Sequence, residues 1–166
     1  MRSLRRRDTT EVYRHLDDLE PPLGNSASIL PVYNPPMTTP LFCIFLAFLL
    51  NMVSKGPVAA AMARQDRGYD NKNPRDQQAE LVGWGRRALA AHLNGFEAFP
   101  AFAAAVLVAF LAGADPVWSA RLAVIFVVAR VLYLPLYIGN LDLLRSGVWG
   151  IGFIATAGLF LLPLLG

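Results

Sequence analysis

A chain of 166 residues that is 55% hydrophobic and only 16% charged, against about 25% charged in an average soluble domain, is composed for lipid rather than water, in line with its mean hydropathy of +0.41. The formal net charge is only +3, and the basic residues of the apolar part stand beside its apolar runs, where membrane topology accounts for them, so no nucleic-acid partner is expected. The single cysteine, Cys43, rules out an internal disulfide, and His15 and His92 stand apart from any cluster with metal-ligand spacing.

Residues 1–36 are polar, mixed in charge and Pro-rich at their end, and lack the apolar core of a secretory signal. They are expected to be a disordered extension or a mis-assigned start, with Met37 the natural beginning of a chain whose first element is a membrane helix. From there, apolar stretches long enough to cross a bilayer as helices fall at 41–63, 86–112, 118–138 and 147–165. The expected architecture is all-α: an integral, multi-pass four-helix membrane bundle over residues 37–166, in contact with membrane lipids. Cys43 lies in the first run and reads there as a small hydrophobe. The loop between the first two runs carries Arg64, Arg67, Lys72, Arg75, Arg86 and Arg87, whereas the next has only Arg121 at its far end. By the positive-inside rule the loop 64–87 faces the cytoplasm. Both chain ends then lie on the other side, which conflicts with Arg2, Arg5, Arg6 and Arg7 and favours a start at Met37.

Polar groups inside the spans carry the functional reading. Counting from the cytoplasmic helix ends, Asn94 and Glu97 lie ~10 and ~15 Å deep on the second helix, Tyr133 and Arg130 ~9 and ~14 Å on the third, and Lys55 ~12 Å on the first. Arg87, Asn94 and Glu97 share one helical face, and Arg130, Tyr133 and Tyr137 share another. Facing each other, they line a polar cleft open to the cytoplasm. The alternative is that Glu97 and Arg130 form an ion pair that sets helix register. His92 projects away from the Asn94 face, towards a different groove or a subunit contact.

The stretch RALAAHLNGFEAFP, with Arg87, His92, Asn94, Glu97 and Pro100, resembles the second-helix signature of the family of membrane-associated proteins in eicosanoid and glutathione metabolism (MAPEG). ARVLYLPLY, with Arg130, Tyr133 and Tyr137, resembles the family's third-helix pattern. NPRD at 73–76 and the pair Arg145-Ser146 resemble segments of its prostaglandin E synthase branch, and the resemblance spans residues 37–166. It implies a homotrimer with glutathione bound between subunits near the cytoplasmic side. By that analogy Arg87, Asn94, Glu97, Arg130, Tyr133 and Tyr137 hold glutathione, Arg145 favours its thiolate, and Ser146 offers a hydroxyl to the sulfur. There are departures. Glutathione-using members commonly have an Arg where this chain has Ala90, position 95 is Gly where several relatives have Asp or Cys, and Arg145 stands one residue nearer to Tyr137. Two readings follow: a glutathione-dependent membrane transferase or peroxidase acting on a lipophilic small-molecule substrate, and a non-catalytic scaffold or lipid-binding protein on the same fold.

Overall fold

The computed structural model describes residues 38–165; the expectations for residues 1–36 lie outside that range. The described chain is helical, and no strand occurs among its residues. Helix α1 (Thr39–Val53) and helix α2 (Lys55–Ala63) follow one another as a single membrane-length segment, Thr39–Ala63. Pro40 stands in the first turn of α1, where its missing N–H has no intrahelical partner to lose. The interruption at Ser54 has a local cause: Pro57 lacks the N–H that would bond the Val53 carbonyl, and its ring crowds that carbonyl. The Ser54 hydroxyl donates to the Asn51 carbonyl at 2.7 Å and steadies the break.

The basic loop is more ordered than its hydrophilic sequence suggests. It contains a short helix α3 (Pro74–Ala79), whose six residues are too few for an apolar period to announce. The buried Gln77 amide donates to the Met62 carbonyl at 3.2 Å and to the Gly68 carbonyl at 2.6 Å, while its oxygen accepts from the Asp70 N–H at 2.9 Å. Asp70 accepts in turn from the backbone of Asn73 and Lys72, which holds its carboxyl below the usual carboxylate range. Arg67 and Glu80 form an exposed ion pair at 2.6 Å, which contributes little to stability.

The other three spans are α4 (Gly83–Leu111), α5 (Pro116–Ile138) and α6 (Asp142–Leu161), the last ending in a 3-10 turn, Leu162–Leu164. Four helical segments are thus long and apolar enough to cross a bilayer, as expected from sequence. The chief difference from the apolar runs is at α6, which begins at Asp142 rather than near 147; Arg145 and Ser146 stand in its opening turns, as the resemblance to an Arg-Ser pair opening the fourth helix implied. The core where these helices meet is rich in small residues, including Ala47, Ala105, Ala109, Ala123 and Ala155, around Phe102 and Phe126, whose rings stack at 3.8 Å. Cys43 is buried in it. Small side chains let helix backbones approach closely, which in lipid is what dispersion forces require. Large side chains such as Phe45, Val128 and Ile154 are turned outward, the arrangement suited to an apolar solvent.

Candidate functional site

Between α4 and α6, floored by α5, lies a cleft of about 540 Å³. Asn94 and Glu97 of α4 and Arg130 of α5 stand at its polar end, and Trp149, Phe153 and Phe160 of α6 form much of its apolar wall. The sequence reading did bring these three polar residues to one place, but they do not form the direct ion pair entertained above. Arg130 Nη1 donates to Asn94 Oδ1 at 3.0 Å, and Asn94 Nδ2 donates to Glu97 Oε2 at 3.1 Å. An amide can accept and donate at once, so Asn94 relays between the two charges. The Arg67–Glu80 contact is the one ion pair among the described residues.

Arg130 is also held from below. Its guanidinium carbon lies 4.4 Å from the centroid of the buried Tyr133 ring and 5.8 Å from that of Phe126, both within cation–π reach. Gly152 of α6 packs beside it, where even a Cβ would make only ordinary contacts, 3.6 Å from Ala129 Cβ and 4.0 Å from Arg130 Nε. That buried Nε has no hydrogen-bond partner in the protein. From Tyr133 the stack runs down α5: the Tyr133 and Tyr137 rings meet edge to face at 5.5 Å, and the Arg145 guanidinium lies 4.3 Å over Tyr137. Arg145 is one turn from Trp149 on α6, so the stack links Arg130 to the helical turn that precedes the Trp149 wall. Ser146, beside it, is exposed.

Of the expected members, Arg87, Tyr133, Tyr137, Arg145 and Ser146 do not line the cleft. Arg87 donates through Nε to the Ile138 carbonyl at 2.8 Å. It thereby satisfies an end carbonyl of α5 and does not line the cleft. Lys55 does not line it either. His92 does not line the cleft; its Nδ1 lies 2.7 Å from Ser54 Oγ and its ring is edge-on to Phe96 at 5.1 Å. Since the Ser54 proton is committed to the Asn51 carbonyl, the hydrogen bond requires that His92 Nδ1 donate.

Sequence reasoning missed Asn51 and the wall of α6. Asn51 is buried, and its Oδ1 occupies the space that a Cβ on Gly95 would need. The departure at position 95 is therefore paired with a polar side chain from α1. Trp149, Thr156 and Phe160 share a face with Arg145 at i+4, i+11 and i+15. That spacing was visible, yet in lipid an outward aromatic face and a groove-lining one read alike.

No curated protein and no solved structure matches the chain significantly. The sequence model of the MAPEG family does match, over residues 39–165. This spans all four membrane-length helices together with the cleft residues, and the chain is therefore an integral, multi-pass membrane protein that belongs to the MAPEG family.

Proposed function

We propose that the protein is a glutathione-dependent membrane transferase or peroxidase acting on lipophilic electrophiles, assembled as a homotrimer. The observation that carries this reading is the continuity of the cleft, in which a charged, hydrogen-bonding end meets an apolar, largely aromatic wall.

The residues present fit a peptide-like ligand with carboxylates and an ammonium. Arg130 retains a buried Nε–H without a partner, which a carboxylate can take up by a charge-assisted bond. Glu97 is exposed and accepts one hydrogen bond through Oε2, leaving acceptor capacity for an ammonium. Asn94 keeps the two charges apart and oriented. Ala90 supplies no cation, so the anion recognition rests on Arg130. Arg87 supports this set by fixing the end of α5 rather than by contact.

Glutathione, when bound, supplies the thiol sulfur as nucleophile. Arg145 lies on the first turns of α6, where its guanidinium and the positive helix end both favour a thiolate over a thiol. The Tyr137 ring, 4.3 Å from the guanidinium carbon, holds Arg145 in place. Ser146 has its hydroxyl available at the same end, and the wall formed by Trp149, Phe153 and Phe160 keeps a lipophilic partner out of water.

Exposure of Glu97 in the single chain, well inside a membrane-length helix, supports an oligomer, because a carboxylate facing acyl chains is costly unless another subunit covers it. The charge asymmetry of the loops supports a cytoplasmic 64–87 segment. The test is conjugation of a lipophilic electrophile by the detergent-solubilised protein with and without glutathione, beside a thermal-shift titration with glutathione alone. Binding with turnover is expected. Absence of any glutathione-dependent shift would leave the lipid-binding scaffold, which Ala90 favours, as the better reading.

A further inference from the structure

A smaller cavity of about 150 Å³ lies between α1, α4 and α5, and Arg130 is the one described residue that lines both it and the cleft. Leu50, Val131 and Leu134 make its wall largely apolar. The polar residues around it are Asn51 of α1, Ser54 at the helix break, and Arg130 and Tyr133 of α5.

Asn51 and Tyr133 are each only 7% exposed, and polar side chains so deeply placed normally have hydrogen-bond partners. Here neither the Asn51 amide nor the Tyr133 hydroxyl makes a side-chain hydrogen bond among the described residues. Both also keep accessible surface, unlike the sealed, unpartnered atoms, which are Thr38 Oγ1, Ser119 Oγ and Arg130 Nε. Ser54 differs, since its hydroxyl is committed to the Asn51 carbonyl and to His92. Packing keeps the two free groups where they are. Asn51 Oδ1 lies against Gly95, where no Cβ stands in its way, and the Tyr133 ring sits 4.4 Å from the Arg130 guanidinium carbon. Two buried polar groups without partners carry a desolvation cost that a bound partner removes.

Charge and size select that partner. Arg130 is a cation, the Asn51 amide and the Tyr133 hydroxyl can both donate, and neither Asp nor Glu is among the described residues lining the cavity. Glu97 reaches Arg130 only through Asn94, and it belongs to the cleft. Lys55 follows Ser54 directly in the chain and adds a second positive charge nearby. A guanidinium withdrawn from water without a direct counter-charge favours an anion. The volume is below the roughly 300 Å³ at which pockets for organic ligands begin, yet it exceeds the ~10–15 Å³ that one water needs. Largely apolar walls penalise any ion that holds its hydration shell tightly. A singly charged, weakly hydrated anion meets these conditions, whereas phosphate and sulfate do not.

We propose that this cavity binds a small, weakly hydrated monovalent anion, held by Arg130, the Tyr133 hydroxyl and the Asn51 amide. Nitrate is the probe. Thermal melting of the full-length protein in detergent, without glutathione, is followed as sodium nitrate replaces sodium gluconate at fixed ionic strength. A saturable rise in melting temperature is expected. Tyr133→Phe keeps the ring beside Arg130 and removes only the hydroxyl, so it should weaken the apparent nitrate affinity by about tenfold, the worth of one hydrogen bond to a charged group. Asn51→Ala should weaken it similarly. Ala101→Leu narrows the cleft, which Ala101 lines, and should leave the nitrate response unchanged. Absence of a saturable response in the unmodified protein overturns the proposal and leaves the cavity to water. Unchanged affinity in both Tyr133→Phe and Asn51→Ala overturns it as well, and loss of the response in Ala101→Leu moves the anion to the cleft and overturns this site. Because glutathione is absent throughout, each outcome is separate from that of the proposed activity.

Discussion

At the scale of single residues, the cleft depends on how Asn94 divides its amide between Arg130 and Glu97. A direct, dry ion pair would couple the two charges by several kcal/mol, whereas coupling through one neutral amide is limited to the worth of its hydrogen bonds. For the cycle Glu97→Gln with Arg130→Met, measured by denaturation in detergent, the expected coupling is about 0.5–1.5 kcal/mol. It should vanish in an Asn94→Ala background. A coupling that survives loss of Asn94 would show that the charges meet by another route. Arg145 carries the chemical prediction. Arg145→Leu should abolish conjugation while leaving glutathione affinity within a few-fold, because binding rests on the deeper Asn94, Glu97 and Arg130. Arg145→Lys should restore little, since an ammonium lacks the planar fork that stacks on Tyr137. Wild-type rates in the Lys variant would reduce Arg145 to a topological anchor.

At the scale of elements, helix contacts are decided by small residues opposite specific partners. Gly95 of α4 receives Asn51 of α1, and any Cβ there meets the Asn51 side chain. Gly95→Ala should therefore destabilise the bundle by about 1–3 kcal/mol, the usual range for overpacking. Asn51→Ala should recover most of that loss in the double variant, with thermal melting in detergent as the measure. Strict additivity would mean that the two side chains do not compete for the same space. The pairing was illegible beforehand: Asn51 had no partner marked in sequence, and Gly95 registered only as a departure from relatives. The early start of α6 was hidden from hydropathy alone, although the resemblance set Arg145 and Ser146 at the opening of that helix. Its first turn carries Asp142 and Arg145, so a hydropathy criterion began the span only where those charges end.

For the whole molecule, the prediction concerns sidedness and assembly. With the 64–87 loop cytoplasmic, a cysteine placed at Gly113 should react with an impermeant thiol reagent only from the opposite face, and one placed in the Asp70 loop only from the cytoplasm. Reaction of position 113 from the cytoplasmic side would invert the topology. Native mass spectrometry should give three copies per particle. A monomer that still binds glutathione would remove the argument drawn from the exposure of Glu97.

The amino-acid sequence by itself determined the solvent, the four spans and the matching helical levels that let Asn94, Glu97 and Arg130 meet. Lipid requires long apolar runs with internally satisfied backbones, and helical rise converts residue number directly into depth. The family signature is likewise local, because it lies within single helices. Only the tertiary structure decided which groups touch. Asn94 stands between the charges instead of leaving them paired, Arg87 turns to the Ile138 carbonyl, and α6 supplies the wall of the cleft. These outcomes depend on the relative rotation and spacing of helices. In a bilayer no contrast between an apolar core and a polar surface records that rotation, so close packing among small residues selects it, and such packing has no signature along one chain.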